Sequence, residues 1–364
     1  MAARWKYFKH CLSLQSLHNV WSTSSWRYTP MPPTETATCF RSSLLWPILL
    51  LITALFFLFD LKRWFRVPMS APEPDPEWSQ YAYCQYVTTT EYLCNSIMIF
   101  ESLHTLHSKA SRVMMYPKEW AQDSDTRRGR MLRKARDELG VVLKAIQVQH
   151  FGEEEDQKTW AESFTKLLAF NLTDYKRVLT LDSDATVLRS MDELFLMPSA
   201  PVAMPRAYWL NDSTLSSQLI LVEPSTFEMN RVLEAFRHRS PTDYDMEIAN
   251  HLYGKDCIVI PHRRYDLLTG EFRNQDHHLY LGSEQELWDP EAAYDEAKYL
   301  HFSDWPLPKP WLHASQEQLE EVVPHCHRMA DGTEDCRDRE KWLLVYQDFR
   351  ERRERVCGSD FVSL

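Results

Sequence analysis

Glycine is scarce in this chain, 8 of 364 residues. A glycine-rich phosphate loop is therefore not expected, and neither a GxGxxG turn nor a Walker-type loop occurs. Positive charge is also in deficit: 41 Lys and Arg stand against 52 Asp and Glu, for a formal net charge of -11. That balance argues against a general nucleic-acid binder, because neutralising phosphates needs a basic face. No CxxC pair occurs, which removes the standard zinc patterns, and no internal repeat is found. What remains is a chain long enough to bury a large core, with room for a separate module.

The apolar residues are unevenly spread. Residues 1–42 are rich in Ser, Thr, Trp and basic residues and read as a poorly ordered tail. "SLLWPILLLITALFFLF", Ser43 to Phe59, then runs without a charge. A spanning helix takes roughly 17–25 such residues, and the alternative is a buried core helix. Nothing amphipathic surrounds the run, and a proline-rich stretch within 60–80 follows it, which favours a transmembrane anchor and an extended stem. Starting some forty residues in, the run is not a plain cleavable signal peptide. Lys62, Arg63 and Arg66 flank its C-terminal side closely, and the positive-inside rule on its own favours a cytosolic C-terminus. Sequons occur at Asn171 and Asn211. Six cysteines follow the anchor. Cys326 and Cys336 share a loop-like segment and could close a short disulfide in an oxidising compartment, or join His325 and His327 in a metal site of non-standard spacing.

From Tyr81 the chain alternates. "YCQYVTTT", "RVMMYP", "VVLKAIQVQ" and "RVLTLD" read as strands, and "EYLCNSIMIFESLHTL", "RRGRMLRKARDELG" and "TWAESFTKLLAFNL" read as helices, the second closed by Gly140. Such alternation implies an α/β fold with a mainly parallel central sheet. Ligands in these sheets bind beyond the carboxyl ends of the strands, where "RVLTLDSDATVL" places Asp182 and Asp184. In extended chain, residues i and i+2 point to one side, so the two carboxylates would repel unless a cation sat between them. Oxygen ligands suit Mg²⁺ and Mn²⁺, and an ion so held could bridge a nucleotide diphosphate. A bare D-x-D is often a solvated turn or helix cap, but the apolar strand before it favours the functional reading. In "YLHFSDWPLPKPW", Tyr299 to Trp311, His301 is a borderline ligand that would favour Mn²⁺, and Lys309 could set a cation against phosphate. The bland reading of that segment is a proline-rich surface loop.

Together these stretches resemble the glycosyltransferase family that contains glycogenin and the galactinol synthases. The resemblance covers roughly residues 81–311 and implies the GT-A nucleotide-diphospho-sugar transferase fold over 81–312, with 313–364 as a C-terminal extension ending in a charged helix. It implies a UDP-sugar donor held by Thr88, Thr89 and Tyr92 of "YVTTTEYL", by Lys166 of "SFTKLL", and by Ser183, Ser217 and Lys309. It implies Mn²⁺ on Asp182, Asp184 and His301. "YDMEIAN" resembles the segment that reaches the reaction centre, with Asp245 as nucleophile or as sugar-orienting group, and the reaction retains the anomeric configuration. The chain departs from the family pattern where the His–Lys spacing is shorter by two residues and lacks its glycine, and where "SSQLILVEPS" replaces Asn-Ser-Gly. "EYLCNSIMIFESL", "MLRKARDELGV" and "IPHRRYDLLTGEFR" are most similar to fungal Golgi N-acetylglucosaminyltransferases. That likeness implies transfer of N-acetylglucosamine from its UDP donor to a mannose-containing glycan, by a single-pass protein whose catalytic part is luminal, against the local charge count. The alternatives are UDP-glucose or UDP-galactose as donor, or a relative that binds nucleotide sugar without turnover.

Overall fold

The computed structural model describes residues 75–148, 163–210, 212–240 and 242–358. The expected tail, the expected anchor Ser43–Phe59, most of the expected stem and the sequon at Asn211 lie outside them. No helix among the described residues is long and apolar enough to cross a membrane.

A seven-stranded sheet organises the described residues. Its strands are β1 (Tyr81–Tyr86), β2 (Ser111–Pro117), β3 (Val141–Ile146), β4 (Arg177–Leu181), β6 (Val202–Pro205), β7 (Leu219–Val222) and β8 (Ile258–Ile260). Their order is β3-β2-β1-β4-β7-β6-β8. Strands β1 to β4 are mutually parallel where they pair, β7 runs antiparallel to β4 and β6, and β8 is parallel to β6. The expected mainly parallel α/β sheet is present, with β7 as its reversed member. The chain winds outward from β1 to β3 and then crosses back to the other side of β1. The strand order thus reverses between β1 and β4, the place where such sheets open a crevice. "VTTT" leaves β1 there, and "DSD" leaves β4.

Helices form where capping and apolar spacing agree. Helix α1 (Thr90–Thr105) starts at Thr89, whose hydroxyl accepts the Tyr92 amide. It buries Leu93, Ile97, Phe100 and Leu103, spaced three and four apart, against the sheet. Helix α2 (Arg127–Leu139) begins under Thr126 and ends on Gly140 at φ +64°, a left-handed position that favours glycine. Tyr81 and Tyr83 of β1 enter one apolar cluster, while Ala82 and Cys84 enter the cluster on the other face. Both faces of the central sheet are therefore covered.

Two expectations change in detail. Ser163–Asn171 is wound as a 3-10 helix rather than an α-helix. Seven of its nine side chains are buried, so tertiary packing, not an amphipathic stripe, sets its winding. The charged C-terminal helix, Arg337–Cys357, is no mere appendage. Trp342, Val345, Tyr346, Phe349 and Val356 join the same core as α1, and a disulfide joins Cys94 to Cys357. Cys326 and Cys336 are also disulfide-bonded, which takes up the thiolates that a metal site at that loop would need.

Candidate active site

A second, three-stranded sheet completes the crevice: β5 (Ala185–Val187), β10 (Tyr299–His301) and β9 (Leu267–Leu268), in the order β5-β10-β9. Strand β5 directly follows "DSD". It pairs antiparallel with β10 so that Ala185 faces His301, and the Phe302 amide donates to the Asp184 carbonyl at 3.0 Å. This register carries His301 to the acidic pair across a sequence separation of 117 residues from Asp184. His301 Nε2 lies 3.1 Å from Asp184 Oδ1, and Lys309 Nζ lies 2.7 Å from Asp184 Oδ2. Lys309 also donates to the Phe302 carbonyl at 2.6 Å. The shortened His–Lys spacing therefore still delivers the ammonium to the carboxylate.

On the other side, Lys166 projects from the 3-10 helix and is 2 % exposed. Its Nζ lies 2.6 Å from Asp182 Oδ1 and 2.8 Å from Asp245 Oδ2, and it donates to the Ser217 carbonyl at 2.9 Å. Asp245 is the first residue of the helix Asp245–Tyr253. The Ser217 hydroxyl donates to Asp245 Oδ2 at 2.6 Å, so its proton turns inward to that carboxylate. Ser183 is buried between the two aspartates. Thr88, Thr89 and Tyr92 stand half-buried at the mouth of the crevice above β1, with the Tyr92 ring edge-on to Trp311 at 5.5 Å.

The electrostatics are asymmetric. Burial pushes the Asp182 carboxyl up to about 6, with Asp184 and Asp245 adding to the rise and Lys166 opposing it. Burial acts on Asp184 too, but His301 and Lys309 hold it well below the usual carboxylate range. Asp245 is likewise lowered, because Lys166 and Ser217 outweigh its burial. Lys166 is raised: burial works against its charge, and two carboxylates more than compensate. Ligand atoms of Asp182, Asp184 and His301 all lie within 4.8 Å of one another. Two carboxylates and one imidazole form a donor set that fits a divalent cation, and a buried carboxylate as crowded as Asp182 is stabilised by one.

Two further residues hold this arrangement and a third, Tyr86, lies in its electrostatic field; none was singled out from the sequence. Tyr299, two residues before His301 on β10, donates to the carbonyls of Asp182 at 3.0 Å and Gln218 at 3.2 Å. Gln218 accepts the Asp182 amide at 2.9 Å. Tyr86, at the end of β1, has its hydroxyl pushed well above 10 by burial and by the charges of Asp182 and Asp245. The period-two placement of Tyr299 and His301 was the available signal for the first of them.

No family model matches the chain. Among curated proteins it is 51 % identical over 292 residues to one of Gibberella zeae named Glucose N-acetyltransferase 1, covering 78 % of this chain and 64 % of the relative. It is 44 % identical over 321 residues to the protein of that name in Aspergillus fumigatus, covering 81 % and 83 %. A solved structure of WbbM, a bifunctional glycosyltransferase, overlays with a TM-score of 0.49 at 15 % identity, covering 80 % of this chain and 52 % of that one.

Proposed function

Because the chain belongs to the family of fungal glycosyltransferases that includes the relatives named Glucose N-acetyltransferase 1, we propose that it moves N-acetylglucosamine from UDP-N-acetylglucosamine to a mannose-containing glycan. The single observation that carries the reading is the convergence of Asp182, Asp184 and His301 on one point, with Lys309 beside them. Asp182, Asp184 and His301 would hold Mn²⁺, which would act as a Lewis acid on the leaving diphosphate. Lys309 would balance phosphate charge. Electrostatic support of a leaving group of this kind needs no pair of glycosidase-type carboxylates. Lys166 fixes Asp245 against Ser217, which leaves Asp245 a rigid, ionised group at the floor of the crevice to orient the sugar. Retention of anomeric configuration belongs to the same proposal.

The two disulfides support a catalytic unit exposed to an oxidising compartment. With the apolar run Ser43–Phe59, they favour a single-pass Golgi protein whose C-terminal part is luminal.

The test is UDP release from a panel of UDP-sugars, with and without Mn²⁺ and a mannose oligosaccharide, beside the variant Asp184→Asn. Mn²⁺-dependent release from UDP-N-acetylglucosamine, reduced at least about a thousandfold in the variant, is expected. Release from UDP-glucose or UDP-galactose instead would overturn the donor assignment, and unchanged turnover by the variant would overturn the site.

A further inference from the structure

The turn between the 3-10 helix and β4 carries a motif with no role in the scheme above: Asn171, Leu172 and Thr173 form a sequon. Where that turn lies follows from the two segments it joins. Lys166 on the helix and Asp182 just past β4 meet at 2.6 Å in the crevice. The chain therefore leaves the crevice along the helix and returns to it along β4, and the turn between them sits at the far, amino end of the strand. Asn171 comes five residues after Lys166 on the helix, a descent of about 10 Å at the 3-10 rise. Strand β4, five residues long, climbs back by roughly 16 Å.

The turn itself is anchored. The Leu172 amide donates to the Ala169 carbonyl and the Tyr175 amide to the Leu172 carbonyl, both at 3.0 Å. Asp174 pairs with Lys144 of β3 at 2.8 Å. Leu172, the middle residue of the motif, is buried in the apolar cluster on that face of the sheet. Asn171 and Thr173, on either side of it, are exposed. A bulky, solvated group on Asn171 would therefore displace no core. The disulfides Cys94–Cys357 and Cys326–Cys336 belong to an oxidising compartment, the setting in which sequons are used.

We propose that Asn171 is a modification site that carries an N-linked oligosaccharide. The side-chain amide nitrogen of Asn171 bonds to the anomeric carbon of a lipid-diphosphate-linked oligosaccharide. The bond from that carbon to the diphosphate oxygen breaks, the lipid diphosphate leaves with the electron pair, and the amide gives up one proton. The glycan stands at the end of β4 away from the acidic pair, so it leaves the crevice open. The inference rests on the reading of the catalytic unit as luminal.

The test uses the full chain expressed in a fungal cell, in an Asn211→Gln background so that one sequon remains. Peptide-N-glycosidase should increase its mobility on a denaturing gel by one step and convert Asn171 to aspartate in the peptide map. Asn171→Gln and Thr173→Ala should both abolish the step, and Thr173→Ser should keep it. Thermal unfolding of each variant shows that it is folded. Thiol trapping of Cys94 and Cys357 on the same samples separates the two ways to fail. A formed disulfide with an unmodified Asn171, or a step that survives Asn171→Gln, overturns the proposal while leaving the luminal reading intact. Free thiols at both cysteines with an unmodified Asn171 overturn the luminal reading and the proposal with it.

Discussion

Replacing Lys166 with Met would test the electrostatics of the crevice most directly. The ammonium is buried and sits 2.6 and 2.8 Å from two carboxylates. At an effective dielectric near 20, each pair is worth about 6 kcal/mol before desolvation. Most of that is offset by the cost of burying the charges, so the gross figure is not the expected loss. The loss comes from what is left behind, two buried carboxylates without their cation, and removing one member of a buried pair typically costs about 3–5 kcal/mol. For a catalytic unit of this size that is a fall in Tm on the order of 10 °C. Without Lys166, the folded-state pKa values of Asp182 and Asp245 both rise above the unfolded value. A carboxylate raised in that way binds more protons folded than unfolded, so its destabilising effect grows as pH rises through the folded pKa and fades below it. Denaturant unfolding of wild type and variant at pH 8 and pH 5 should show the full gap at pH 8 and a narrower one at pH 5. A gap under about 1 kcal/mol, or one that is the same at both pH values, would refute this account of Lys166.

Other outcomes follow from the same contacts. Burial pushes the Asp182 carboxyl up to about 6, and its proton would compete with metal, so Mn²⁺ should bind about tenfold more weakly at pH 5 than at pH 7 in a direct titration. Without metal the sign reverses for stability, which should decline as pH rises through about 6. Cys357→Ser opens a cross-link between residues 263 apart and should cost about 3–5 kcal/mol, while Cys336→Ser, which opens a separation of 10, should cost less. Thr89→Ala removes the N-cap of α1 and should cost about 1 kcal/mol by thermal unfolding, most of it recovered in Thr89→Ser. Phe349→Ala empties a fully buried position between α1 and the crevice and should cost about 3–5 kcal/mol.

What could be read from the residues, and what could not, follows the range of the interactions. The apolar run of β4 and the acids at its end are local, so Asp182 and Asp184 were legible at once. Lys166 and Asp245 were reached only through likeness to other glycosyltransferases, and His301 and Lys309 could be read as a candidate ligand and a candidate phosphate cation, but nothing near any of the four in the chain marks it as a partner of the acidic pair. Their meeting depends on the pairing of β5 with β10, and strand pairing at a separation over 100 residues leaves no periodic trace. Tyr299 shares the period-two face of His301, but its role lies in carbonyls supplied by the turn after β4 and by the turn before β7, which its own strand does not reveal. The reversed β7 is an apolar run like those of the parallel strands, and direction is not encoded in composition. Cys94 and Cys357 each lie in a helix at opposite ends of the catalytic unit, and no spacing rule connects them.

That last bond changes the covalent topology of the protein. With Cys94 and Cys357 joined, nearly everything from α1 to the C-terminal helix belongs to one closed ring of chain. A protease that cuts once anywhere inside the ring opens it without releasing a fragment, and the cut halves stay tethered through α1 and the last helix. On a denaturing gel the nicked protein would travel as a single species until a reductant is added. Proteolysis in an oxidising compartment would then leave the acidic pair of β4 and the histidine of β10 attached to one another after the backbone between them is broken.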